Sequence, residues 1–438
     1  MFADASVLAR FDCYLEHVSS RLGHVGRREP FRRYCQGLLV TPGRKSVEPM
    51  AACLSPDQVS AAHQSLLHIV GQSPWKDEVV LAAVRDWVLP KMVSQSPVEA
   101  WIIDDTGLPK KGRHSVGVTR QYCGQSGKRD NCQVAVSLSV CTDQASLPVA
   151  WQLYLPQSWA GDAARRAEVG IPDDVEFKTK PRIAMDQISA AREAGIAPGV
   201  VLMDAAYGNA SYLRQHIHDL DLHYSVHVTS DVTVWHCDEV PQIPPKRSRR
   251  GRQPSRLRRE DGQGPLSVKE LALTLGDDEW QTITWREGTN ASLSGRFAAV
   301  RVHHAPRHLE AKSLERQEWL LIEWPQAADE PVKYWLSNLS EETDIADLVQ
   351  VSKMRWRVER DYQELKQELG LGHFEGRLWR GFHHHASLCV AAYGFLIAER
   401  AAISPSADIR HHPIIKKSAL PKTYKPRGSS SEGPASRA

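Results

Sequence analysis

The chain has 438 residues, of which 42% are hydrophobic and 24% charged, proportions that exclude a fibrous or low-complexity protein. Its longest uncharged apolar run, Leu388–Ala398, is far short of the ~20 residues a spanning helix needs. Residues 1–11 lack a charged-then-apolar leader pattern, so the expectation is a cytoplasmic protein of two to four domains at ~100–200 residues each.

The eight cysteines, at 13, 35, 53, 123, 132, 141, 237 and 389, form no CxxC pair. That argues against a zinc ribbon or a disulfide scaffold and fits a reducing compartment. The net charge of +3 conceals a strong asymmetry. Residues 241–259 hold eight Lys/Arg and no acid, and residues 401–438 have a net charge of +5. Together they contribute +13, leaving −10 on the rest of the chain. Basic charge concentrated in a loop and a tail points to a polyanionic partner.

In chain order, residues 1–95 show apolar groups near the 3.6-residue period and predict a helical N-terminal domain, with Arg27, Arg28, Arg32 and Arg33 suited to DNA. Ser55-Pro56-Asp57-Gln58 is a helix-start signal. At 98–105 an apolar strand ends in Asp104-Asp105, and 132–140 alternates as a half-buried strand does. Residues 147–155 predict an antiparallel third strand, 181–195 an amphipathic helix closed by Gly195, 200–203 a buried strand running into Asp204, and 211–220 a further helix. Residues 96–223 thus read as the first part of an α/β core. Residues 224–340, with five short strands and the basic loop 241–259, read as a separate β-rich insertion. Residues 341–402 complete the core, with a long helix over 344–370 and an apolar helix over 386–400. Residues 403–438 are expected to be a disordered basic tail.

Three acids stand out. Asp105 and Asp204 end apolar strands, and Glu359 shares one helix face with Arg355 and Lys366 at ~100° per residue. Carboxylates gathered at strand ends repel one another unless cations bind between them, and oxygen donors suit Mg²⁺ or Mn²⁺. Asp104 is the alternative to Asp105, because adjacent strand residues face opposite sides. The basic loop Lys110-Lys111-Gly112-Arg113-His114 lies next to these acids in sequence. His383-His384-His385 is not expected to bind metal, since consecutive helical side chains diverge. No GxxxxGK[ST] is present, so no nucleotide cofactor is expected.

Four stretches carry a resemblance: WIIDDTGLPKKGRHSVGVTRQYCGQSGKRDNCQVAVSL at 101–138, VLMDAAYGN at 201–209, YWLSNL at 334–339 and RWRVERDYQELKQELGLGHFEGRLWRGFHHH at 355–385. Across roughly 30–400 the sequence resembles the DDE transposases of bacterial insertion sequences, and looks closest to insertion-sequence family seven-zero-one. The resemblance implies an RNase H-like mixed-sheet catalytic core interrupted by a β-strand insertion. It implies Asp105, Asp204 and Glu359 as ligands of two Mg²⁺ or Mn²⁺ ions. It also implies cleavage at the ends of a mobile element and joining of the freed 3′-OH to target DNA. Of the related Tyr-x2-Arg-x3-Glu-x6-Lys pattern, Arg355, Glu359 and Lys366 are present and the Tyr position is Ser352. Lys110, Lys111, Arg113, Arg249, Arg250, Arg258, Arg259, Arg355 and Lys366 are the expected DNA contacts. Trp235, Trp280 and Trp285 are candidates for stacking on a flipped base, against core packing as the plainer role. The expected partners are double-stranded DNA and a second copy of the chain, with no membrane. The competing readings are another RNase H-like nuclease and a non-catalytic DNA-binding regulator.

Overall fold

The computed structural model describes residues 5–238, 241–243, 257–259, 263–286, 292–305 and 316–403. Arg249, Arg250 and the expected tail beyond residue 403 lie outside the described residues.

The chain opens with helices α1 (Ala5–Ser19), α2 (Arg28–Val40), α3 (Val47–Leu54), α4 (Val59–Gly71) and α5 (Asp77–Gln95). They are followed by strands β1 (Val98–Pro109), β2 (Thr119–Cys123), β3 (Lys128–Thr142) and β4 (Ser146–Leu153). Next come α6 (Gln157–Ala160), α7 (Ala163–Val169), α8 (Lys180–Glu193), β5 (Val200–Met203), α9 (Ala205–Gly208), α10 (Ser211–Asp219) and β6 (Tyr224–Val228). The stretch after β6 holds β7 (Thr233–His236), β8 (Leu266–Ser267), α11 (Val268–Ala272), β9 (Gln281–Arg286), β10 (Leu293–His304), β11 (Gln317–Glu323) and β12 (Lys333–Ser337). The chain returns through α12 (Ile345–Lys353), α13 (Trp356–Gln367) and α14 (Trp379–Ile403).

β1 lies at the centre of the sheet. β3 pairs with it antiparallel and carries β2 and β4, while β5 pairs with β1 and β6 with β5, both parallel. Antiparallel strands on one side of the first strand and parallel strands on the other make the expected RNase H-like core. The sheet does not stop at β6. It continues through β12, β11, β10, β7 and β8, with β9 beside β10. The separate β-rich insertion read at 224–340 is corrected in this respect: its first strand belongs to the core, and β12 covers that strand's free edge with antiparallel hydrogen bonds.

β3 is buried on both faces rather than half-buried. Helices α13 and α14 cover the face that carries its small polar residues, and the Ser137 and Tyr362 hydroxyls meet at 2.7 Å. The long helix expected over 344–370 is two helices. At their junction the Met354 N–H donates to Val351 O at 3.0 Å, Arg357 N–H to Met354 O and Val358 N–H to Arg355 O, a tight i→i+3 turn that interrupts the α-helical ladder. Arg355 thereby becomes the residue that opens α13.

The N-terminal helices share their apolar core with α14. The three consecutive histidines hold this junction. His384 stacks on Trp75 with ring centroids 3.5 Å apart, and its nitrogens face Val70 O and Trp75 O. His385 meets the Tyr34 hydroxyl at 3.0 Å, and the Leu153 N–H donates to His383 Nε2.

Candidate active site

The site is a product of strand register. In the parallel β1–β5 ladder, Ile102 pairs with Leu202, and Asp104 and Asp204 follow two residues later on their strands. Side chains alternate across a sheet. Ile102 and Leu202 pack in the layer that contains Val358, Tyr362 and Leu365 of α13, whereas Trp101, Ile103, Val201 and Met203 pack in the layer that contains Ile183 and Ile188 of α8. Asp104 and Asp204 therefore face the α13 side together, and Asp105 faces the α8 side.

Hydrogen bonds follow this division. Arg355 Nη1 donates to Asp104 Oδ2 at 2.7 Å, and its Nη2 donates to Glu359 Oε1 at 3.0 Å. The guanidinium thus links the first strand to the acid of α13. Asp105 instead accepts from Lys180 Nζ at 2.6 Å and from the Tyr207 hydroxyl at 3.0 Å. Asp204 caps α9, accepting from the Ala206 N–H at 2.9 Å. The turn after Asp204 is held tightly. Gly208 packs where any Cβ would lie 2.0 Å from His227 O, and buried Arg214 donates to the Gly208 carbonyl. Only glycine allows that approach of α9 to β6.

Burial pushes the Asp104 carboxyl up to about 7, with the Asp204 charge adding to the rise and Arg355 opposing it. Asp204 is raised as well, chiefly by burial, with Arg355 opposing and the Asp105 charge adding. Two desolvated carboxyls beside each other form a site short of positive charge. The donor set is all oxygen and fits a hard divalent cation. Among the described residues no group of three acids, histidines or cysteines stands close enough to enclose an ion, because the Arg355 fork lies between Asp104 and Glu359.

The other residues singled out in the sequence divide. Lys110 points inward: its Nζ donates to Phe374 O at 2.6 Å, and burial lowers it to about 8. Lys111 and Arg113 in the same loop are exposed. Lys366 Nζ donates to Gly107 O at 3.1 Å and is lowered by burial. Arg258 pairs through its backbone with Gln242, and Arg259 Nε donates to Gly264 O. Trp235 is fully buried and Trp280 packs edge-on against Trp324, so both are core residues. Trp285 packs edge-on against Phe297 beneath Lys353. Ser352, at the Tyr position of the pattern, is buried and bonds the Ser225 hydroxyl at 2.6 Å. Lys180 and Tyr207 were not anticipated. Tyr207 stands three residues after Asp204, a visible signal, whereas nothing in the local sequence marks Lys180, which opens a helix remote from β1 along the chain.

Paired strand-end aspartates and a helix glutamate on an RNase H-like sheet agree with the comparison to known sequences. The chain belongs to the DDE superfamily endonucleases, whose family model matches residues 17–292, more than half of its length. It is also similar to the probable transposase for insertion sequence element IS701 of Microchaete diplosiphon, at 29% identity over 223 residues. That alignment takes in 50% of this chain and 54% of the relative, so the chain matches about half the length of that protein.

Proposed function

We propose that the protein is a DNA transposase that cuts phosphodiesters at the ends of its mobile element and joins the freed 3′-OH to target DNA. The observation that carries this reading is the side-by-side placement of Asp104 and Asp204 on the face from which α13 presents Arg355 and Glu359. Asp104, Asp204 and Glu359 would hold two divalent cations, Mg²⁺ or Mn²⁺, in place of the first acid that the sequence favours, Asp105. Two such ions supply activation of an attacking oxygen and neutralisation of a leaving oxygen in an in-line displacement.

The chain's own groups do the rest. Arg355 keeps Glu359 and Asp104 ordered until a cation takes over part of their charge, and its guanidinium suits a DNA phosphate. Lys180 and Tyr207 fix Asp105, which anchors the end of β1 from the other side of the sheet. Lys111 and Arg113 stand exposed at the end of the same strand and are suited to phosphate. Joining two element ends requires two copies of the chain on DNA.

The test is cleavage and strand transfer on a duplex carrying the element's terminal sequence, with Mg²⁺ or Mn²⁺. Metal-dependent nicking that exposes a 3′-OH, followed by its joining to a second duplex, is expected. Sequence-indifferent nicking without joining would favour another RNase H-like nuclease, and DNA binding without cleavage a regulator.

A further inference from the structure

Away from the acids, a cavity of about 500 Å³ lies between the N-terminal helices and the loop 371–378 that follows α13. Lys45 lines it and is only 6% exposed. An ammonium has three N–H donors. Lys45 spends one, at 2.6 Å, on Thr41 O, and has no ion-pair partner among the described residues. A buried cation without a counter-charge is costly to the fold unless an anion completes it.

A second feature of the same cavity points the same way. Helix α3 begins at its wall, and its N-cap Ser46 makes no side-chain capping bond. The first-turn N–H groups and the positive end of the helix therefore lack their usual oxygen partner. Exposed Arg377 stands on the opposite wall. Glu48 and Glu375 are exposed, and Glu375 is already paired with Arg44. The remaining wall is apolar: Leu67, Val70, Phe374 and Leu378. This wall reaches the acidic site's neighbourhood, because Phe374 O accepts from Lys110 and Arg377 O accepts from the Val116 N–H.

We propose that this cavity is a nucleotide site, with a phosphate between Lys45 and the start of α3 and the base against Leu67, Phe374 and Leu378. The nucleotide comes from an unpaired DNA strand or is free in solution. The first source rests on the function proposed above, and the phosphate chemistry does not.

The experiment is a fluorescence titration of the full chain with two probes, 2-aminopurine deoxyribonucleoside 5′-monophosphate and a short 5′-phosphorylated single strand ending in 2-aminopurine. Saturable quenching of either probe is expected, weakened at least about tenfold by Lys45→Met and by Arg377→Ser, and about tenfold weaker for the nucleoside without phosphate, a change of about 1.4 kcal/mol. Binding of the monophosphate identifies a free nucleotide as sufficient, and binding of the strand alone identifies DNA. Arg377→Ser alters an exposed side chain and keeps the test valid if Lys45→Met unfolds. Glu359→Gln is expected to bind the probe as the unaltered chain does, whatever its cleavage activity. Absence of quenching by both probes, equal binding of the nucleoside, indifference to both substitutions, or loss of binding in Glu359→Gln would each overturn the proposal.

Discussion

Arg355 and Asp104 stand 251 residues apart in sequence and meet at 2.7 Å, with the same guanidinium holding Glu359. A cation therefore already occupies the electrostatic position between the strand acid and the helix acid. Removing it leaves mostly buried carboxylates without a counter-charge. Arg355→Ala is expected to lower stability at pH 8 by about 1–3 kcal/mol, the cost of stranding a buried charged partner. Millimolar Mg²⁺ should restore part of the lost Tm, because an ion that binds only the folded chain stabilises it. A Tm that does not respond to Mg²⁺ would argue against these acids as its ligands.

The division of Asp104 and Asp105 between two faces predicts unequal substitutions. Asp104→Asn, Asp204→Asn and Glu359→Gln should each lower metal-dependent cleavage by at least about a hundredfold while leaving DNA binding within a few-fold. Asp105→Asn should cost less, and Lys180→Ala or Tyr207→Phe should mimic it, since those side chains act on Asp105. An inactive Asp105→Asn beside an active Asp104→Asn would reverse the assignment.

Asp361 is fully buried, accepts from the Ser146 and Tyr393 hydroxyls, and is pushed up to about 7 by burial. An unfolded aspartate titrates near ~3.9. Between these values the folded chain keeps a proton that the unfolded chain has lost, so stability falls as pH rises from about 4 to 7. The maximum slope from this group is about 1.4 kcal/mol per pH unit. Asp361→Asn should flatten that part of the Tm-against-pH curve, and an unchanged curve would show that Asp361 does not titrate there.

For the basic loop, replacing Arg249, Arg250, Arg258 and Arg259 by Gln should weaken DNA binding and lower the slope of log K against log salt by about 0.9 for each phosphate no longer neutralised. Filter-binding titrations at several salt concentrations measure this. An unaltered slope would make the loop a bystander.

His384→Ala is expected to destabilise the chain by about 2–4 kcal/mol, because it opens a cavity beneath Trp75 and strands the Val70 and Trp75 carbonyls. Chemical denaturation reads the loss, and divalent-ion binding should stay as it was. Altered ion binding would give the three histidines a role at the metal.

Local pattern carried much of this protein. The apolar runs at 98–103 and 200–203, each ending in acid, marked β1 and β5, and the helical face shared by Arg355 and Glu359 marked α13. Those features survive because period-2 and period-3.6 patterns reflect side-chain directions that the backbone imposes wherever the element lies. The tertiary structure decided what depends on neighbours. Which of Asp104 and Asp105 faces α13 depends on which layer covers each side of the sheet, and alternation alone cannot say. The edge of β6 is closed by β12 from more than a hundred residues onward, so 224–340 extends the core sheet rather than standing apart. Lys110 resembles a free phosphate-binding lysine in the sequence, and only the placement of the Phe374 carbonyl turns it inward.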